Sequence, residues 1–142
     1  MTPSAILESA LYVTDLAAAE QFYRDVLGLA FISRVEGRHA FFRCGAGVVL
    51  LFNADATEIA PPADAKLPVP PHGARGPGHL CFSATADEID RWKTELTAKG
   101  VAVEADFHWP SPGKDGPGGR SIYFRDPSGN SLEFAEPRIW GM

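Results

Sequence analysis

Three side chains of the kinds that hold metals fall on short apolar stretches of strand-like composition. They are Glu8 in ILESALYV (6–13), His79 in GHLCFSA (78–84) and Glu133 in SLEFAE (131–136). Strand side chains alternate between two faces. Ser9, Leu11 and Val13 therefore oppose Glu8, Ala10 and Tyr12. Leu80 and Phe82 oppose His79, Cys81 and Ser83, and Leu132 and Phe134 oppose Ser131 and Glu133. Two carboxylates and an imidazole meeting in a low-dielectric cavity need compensation, because an unpaired buried charge is costly. One divalent cation supplies it. A mostly oxygen donor set favours Mn²⁺ or Fe²⁺ over a thiolate-type zinc site, with Zn²⁺ and Ni²⁺ also open. The same residues also fit three separate roles: Glu8 at a surface edge, His79 satisfied in a core, and Glu133 paired with Arg125 or Arg38. Pattern alone leaves both readings standing.

Other groups share the same parity. Tyr123 and Ser121 oppose Ile122 and Phe124, so they are expected on the cavity side. There Tyr123 can position or protonate a substrate, or serve as an amphipathic wall. Tyr12 and His39 are candidates of the same kind. Cys81 reads as a small packing residue. The stretch FHWPSPGKDGPGGR (107–120) carries His108, Trp109, Lys114 and Arg120 among prolines and glycines, the composition of a loop that closes over a site or simply joins two strands. Trp109 and Arg120 are its candidates for substrate contact. His72, in PPHGARGPG, is expected to be solvated. No Walker-type loop, nucleophile elbow or CxxC occurs.

These side chains need a frame. After the first strand, Thr14 and Asp15 offer helix-capping oxygens. Leu16, Ala19, Phe22, Tyr23, Val26 and Leu27 follow at helical spacing, and Gly28 stands where a helix-terminating glycine belongs. Strands are expected at 29–35, 38–43 and 48–53. Prolines and glycines then crowd 55–76, too densely for a helix or sheet interior. The order restarts with the strand 78–84. Thr85 and Glu88 have capping-box spacing, Ile89, Trp92 and Leu96 form a helical stripe ending at Gly100, and strands are expected at 101–107, 120–125 and 131–136.

The chain is thus a βαβββ module written twice, at about 5–54 and 77–137, with a Pro/Gly-rich linker at 55–76. GRHAFFR (37–43) and GRSIYFR (119–125) lie 82 positions apart and agree at Gly, Arg, Phe and Arg. Continuing that offset sets Gly47 on Gly129, Leu50 on Leu132, Leu51 on Glu133 and Phe52 on Phe134. It predicts that Leu50 and Phe52 pack on the helix while Leu51 points away from it. The fold class expected is α+β, the two modules forming a curved, half-barrel-like mixed sheet with helices outside.

Composition sets bounds. The 142 residues, 45% hydrophobic and 22% charged, suit one globular domain. The net charge of −5 offers no basic stripe for nucleic acid. No apolar run approaches the roughly 20 residues of a membrane span. The N-terminus has neither the basic start nor the cleavage-type ending of a secretory signal. Two cysteines, Cys44 and Cys81, are too few for a disulfide framework, so reduced thiols and a cytoplasmic location are expected.

The sequence resembles the vicinal oxygen chelate superfamily, which includes glyoxalase I, fosfomycin-resistance proteins, extradiol dioxygenases and bleomycin-binding proteins. The carriers are YVTDLAAAEQFYRDVLGL (12–29), GPGHLCF (76–82) and YFRDPSGNSLEFAEP (123–137), and the likeness spans nearly the whole chain. It implies metal ligands on the first and last strand of each half: Glu8, His79 and Glu133, with Leu51 in the fourth position. A leucine there departs from the four-ligand glyoxalase I pattern, and Glu8 stands where histidine is more usual. The resemblance implies a metal-dependent enzyme acting on a small molecule with adjacent oxygens by isomerase, lyase, thiol-transfer or dioxygenase chemistry, and a homodimer as the assembly; Glu133 and, from its place on the cavity face, Tyr123 are the catalytic candidates. The alternative it carries is a metal-free protein that sequesters a small ligand.

Overall fold

The computed structural model of the chain describes residues 1–111 and 117–142. It has two units, Met1–Gly78 and His79–Met142. The fold is α+β, with a four-stranded mixed sheet in each unit.

In the first unit β1 (Glu8–Tyr12) leads to α1 (Leu16–Gln21), which tightens into a π-helical turn at Phe22–Val26. Asp15 caps α1 by accepting a hydrogen bond from the Ala18 amide at 2.9 Å. β2 (Ala30–Val35), β3 (His39–Cys44) and β4 (Gly47–Phe52) follow, then one helical turn, α2 (Ala54–Thr57). The sheet order is β1-β4-β3-β2, with β1 parallel to β4 and the other pairs antiparallel. The second unit repeats the plan. β5 (His79–Ser83) precedes α3 (Ala86–Ala98), whose start carries the expected capping box between Thr85 and Glu88. β6 (Ala105–Pro110), β7 (Pro117–Arg125) and β8 (Ser131–Ala135) give the order β5-β8-β7-β6. No helix among the described residues is long and apolar enough to cross a membrane.

Each unit buries one sheet face under its helix. In the second, Trp92 of α3 stacks on Phe134, centroids 4.5 Å apart, and Phe82, Ile122, Phe124 and Leu132 complete a buried layer with Ile89 and Leu96. In the first, Tyr23 lies 6.1 Å from Phe42, and Leu11, Ala40, Val49 and Leu51 share that face by register. Each such side chain, fully buried, contributes roughly 1.5–3 kcal/mol of transfer free energy.

That register corrects the face expected for β4. Leu50 pairs with Ala10 and Phe41, and Phe52 with Tyr12 and His39, so both lie on the face away from α1. Leu51 pairs with Leu11 and Ala40 and is fully buried on the helix side. The reason is turn length. Arg43 pairs with Val48, leaving four residues between them, whereas Arg125 pairs with Ser131, leaving five. The 82-residue offset holds up to the turn and becomes 83 beyond it. The residue equivalent to Glu133 is Leu50, not Leu51.

The stretch 107–120 is corrected too. Residues up to Pro110 and from Pro117 are strand, with Phe107 paired to Ser121 and His108 to Arg120. Its centre, 112–116 with Lys114, lies outside the described residues.

Candidate functional site

The helix-free face of the second unit gathers most of the candidates. Parallel pairing of β5 and β8 sets His79 beside Ser131 and Cys81 beside Glu133, and antiparallel pairing sets Tyr123 against Glu133. Glu133 is 4% exposed, yet its Oε1 is buried without a hydrogen-bond partner. Its Oε2 lies 3.3 Å from Nε2 of His79, whose side chain is half exposed. Arg125, of the same unit, makes its contacts elsewhere, to Glu104 and the Gly129 carbonyl. Arg38, in the first unit, donates to the Ala56 carbonyl.

The imidazole is oriented by the backbone. Nδ1 of His79 stands 3.0 Å from the Ser131 carbonyl oxygen. A carbonyl only accepts, so Nδ1 carries the proton and donates. In the neutral ring Nε2 then turns a lone pair toward a carboxylate oxygen. A proton on Nε2 or a cation between or beside the two atoms reconciles them. A histidine that donates its far N–H to a carbonyl while offering the near nitrogen is the usual outer arrangement of a metal ligand. Adjacent donors about 2.1 Å from an octahedral ion stand about 3 Å apart, close to the separation found. The orphaned Oε1 and the paired Oε2 thus fit a divalent cation. Among the described residues no three His, Cys, Asp or Glu side chains gather into a metal-sized cluster, so the second unit offers a pair of donors.

Neighbours tune the acid–base character of this face. Burial pushes the Tyr123 phenol up to about 12, helped by its hydrogen bond to Glu133 and by the Glu133 charge. Burial, then the Glu133 charge, pushes the Cys81 thiol up to about 12. Both are protonated near neutrality in the metal-free protein, so Cys81 is not a free thiolate nucleophile there. Trp109 donates its indole N–H to the buried Ser121 hydroxyl at 2.8 Å. Phe107, which the sequence reading passed over, stacks parallel to Tyr123. Its alternation with Trp109 along a strand was the available signal.

Arg120 is not part of this face. It shares the parity of Ile122 and is held on the helix side, donating to Asp90 at 2.6 Å and to Asp106 at 2.7 and 2.9 Å. Its proposed substrate contact is therefore replaced by a link between α3, β6 and β7.

In the first unit, Glu8 is exposed at the end of β1 and pairs with Val48, as His79 pairs with Ser131. Tyr12 and His39 do share the helix-free face, within an aromatic cluster. His39 stacks on Phe41 at 4.0 Å, and both rings meet Phe52 edge-on. Burial, then Arg38, lowers the His39 pKa, so that ring is neutral. His72 is not solvated as expected. Its Nδ1 shares a hydrogen bond with the Tyr12 hydroxyl at 2.6 Å, its ring packs 4.6 Å from Phe52, and its amide donates to the Thr57 carbonyl.

A family model described as the Glyoxalase/Bleomycin resistance protein/Dioxygenase superfamily matches residues 5–134. Among solved structures, lactoylglutathione lyase from Agrobacterium tumefaciens is similar at 45% identity and a TM-score of 0.88, over 100% of both chains. A virulence protein from Salmonella typhimurium is 27% identical with a TM-score of 0.68, over 96% of this chain and 98% of that one. The fosfomycin resistance protein FosX from Listeria monocytogenes shares the fold at 19% identity and a TM-score of 0.65, over 94% and 91% of the two chains. No curated protein matches.

Proposed function

The chain belongs to the Glyoxalase/Bleomycin resistance protein/Dioxygenase superfamily, and on that premise we propose that it is a divalent-metal-dependent enzyme. Its substrate is a small molecule with two adjacent oxygens. His79 and Glu133 are the donors of the second unit, and Glu8 is the further donor that the family resemblance names. When bound, the ion supplies Lewis-acid stabilisation of negative charge developing on a substrate oxygen. The residues do the rest. Glu133 offers a carboxylate already stripped of water, and Ser131 fixes the nitrogen with which His79 binds. Tyr123 holds its proton at neutral pH and can donate a hydrogen bond to a bound oxygen. Phe107 and Trp109 present an apolar wall beside it. The similarity to lactoylglutathione lyase supports enzymatic activity, and the reaction class is left to a substrate screen. A homodimer is part of the proposal, and light scattering that returns a strict monomer at micromolar concentration removes it.

The observation that carries the reading is the buried, unpartnered Glu133 oxygen beside an oriented His79 nitrogen. Its test is metal analysis of protein purified without added metal, then calorimetric titration with Mn²⁺, Fe²⁺, Zn²⁺ and Ni²⁺. Wild type is expected to bind at least one ion, with affinity reduced roughly 100-fold in Glu133→Ala. Glu8→Ala titrated in parallel reads the contribution of Glu8. Equally weak binding of all four ions by wild type and Glu133→Ala overturns the reading and leaves the metal-free ligand-binding alternative.

A further inference from the structure

The half-exposed His79 ring has a wall on one side that the donor pair alone does not require. Tyr123 stacks against it, centroids 6.1 Å apart and planes inclined by 22°. On Tyr123 lies Phe107, nearly parallel at 4° and 5.9 Å away. Trp109 meets Phe107 edge-on at 5.1 Å and is itself tied through its indole N–H to Ser121, which is fully buried. The four rings form a row across the sheet, from Trp109 and Phe107 on the edge strand β6 through Tyr123 on β7 to the imidazole on β5 at the other edge.

We propose that Tyr123 and Phe107 are positioning residues that hold the His79 ring in the plane in which Nε2 faces Glu133. The inference rests on the metal reading but is tested apart from it. The Ser131 carbonyl fixes one atom of the ring. A single hydrogen bond is a pivot, and a half-exposed imidazole can swing about it. A near-parallel, offset neighbour limits that freedom, and a second ring beside Tyr123 keeps the neighbour from yielding. Offset aromatic pairs at these separations are favourable beyond their buried area. The stack acts through ring faces, so the phenolic oxygen is dispensable for positioning while the ring is not.

Four proteins decide it: wild type, Tyr123→Phe, Tyr123→Leu and Phe107→Leu. Phe107 is 39% exposed and touches Tyr123 rather than His79 in the ring contacts found, so its replacement leaves the core intact. In metal-free protein, the His79 ring carbon–proton signal, assigned with His79→Gln, is expected sharp and unshifted in Tyr123→Phe. It is expected broadened in Tyr123→Leu and Phe107→Leu, beyond the displacement that loss of a ring current brings by itself. In Mn²⁺ titrations Tyr123→Phe should stay within about twofold of wild type. Tyr123→Leu should lose about tenfold and Phe107→Leu a few-fold, the scale of outer-shell losses at metal sites. A His79 signal in Tyr123→Leu as sharp as in wild type overturns the clamp, and so does unchanged Mn²⁺ affinity in that variant. A loss in Tyr123→Phe equal to that in Tyr123→Leu also overturns it, by assigning the effect to the hydroxyl. Failure of wild type itself to bind any ion removes the metal reading, while the metal-free signal still judges the clamp.

Discussion

Glu133 concentrates the tension of the site. Its carboxylate is buried, one oxygen lacks a hydrogen-bond partner, and the other lies 3.3 Å from Nε2 of His79. A buried charge with imperfect pairing costs several kcal/mol, and isosteric apolar replacement of such groups is often neutral or stabilising. Glu133→Leu is therefore expected to raise the metal-free melting temperature, by about 2–4 °C for each kcal/mol gained in a chain of this size. It should also abolish the rise that Mn²⁺ gives wild type by mass action. Paired melting curves with and without Mn²⁺ read both, and a variant less stable than metal-free wild type contradicts the account. A second expectation concerns Gly129, at φ +84° in the turn before β8. An added Cβ there meets nothing within 4 Å, so Gly129→Ala should cost only the backbone strain of about 1–2 kcal/mol. Urea denaturation measures it.

Among the elements, α3 is tied to β6 and β7 by charge as well as by its apolar stripe. Arg120 binds Asp90 and Asp106, and Lys93 reaches Asp106 at 2.7 Å. Hydrogen bonds from Arg120 and then Lys93 hold the Asp106 carboxyl well below the usual range. A depressed folded value gives stability that is fully present above the unfolded pKa, about 3.9, and is lost as pH falls below it toward the folded value. Arg120→Gln should thus be less stable at pH 7 and show a shallower further loss between about pH 4 and 2, with Mn²⁺ affinity unchanged. Chemical denaturation across that pH range tests it. An altered affinity would return Arg120 to the site.

Across the whole molecule, the repeated plan was legible because helix caps, Gly stops and strand alternation are local signals. The capping box at Thr85, the eight strands and the helix-free placing of His79, Glu133, Tyr123 and Ser121 could be read from them. The face of β4 could not. Strand period is two, so a single extra residue in a turn inverts the reading of everything after it, and Gly47 and Gly129 invite the false match. His72 and Arg120 were misread for another reason, since their partners Tyr12 and Asp90 lie 60 and 30 residues away. The corrected register predicts that Leu51→Glu, which puts a charge into the layer under α1, costs several kcal/mol. Leu50→Glu, on the helix-free face, should cost far less. Thermal melts of the two variants decide it, and equal losses refute the face assignment.

The five-residue turn between Arg125 and Ser131 also governs how the two halves of the gene could exchange material. A crossover placed at Gly47 and Gly129, where the letters agree, would splice Asn130–Ala135 onto the shorter turn and carry Glu133 to the site of Leu51, a carboxylate in the middle of a dry layer. A crossover one strand earlier, joining Arg43 to Asp126, would transfer strand and turn together and bring the same glutamate to the site of Leu50 on the open face. Recombination between the copies is thus productive only when the joint matches structural partners, 82 residues apart before the turn and 83 after it, rather than the letters that agree.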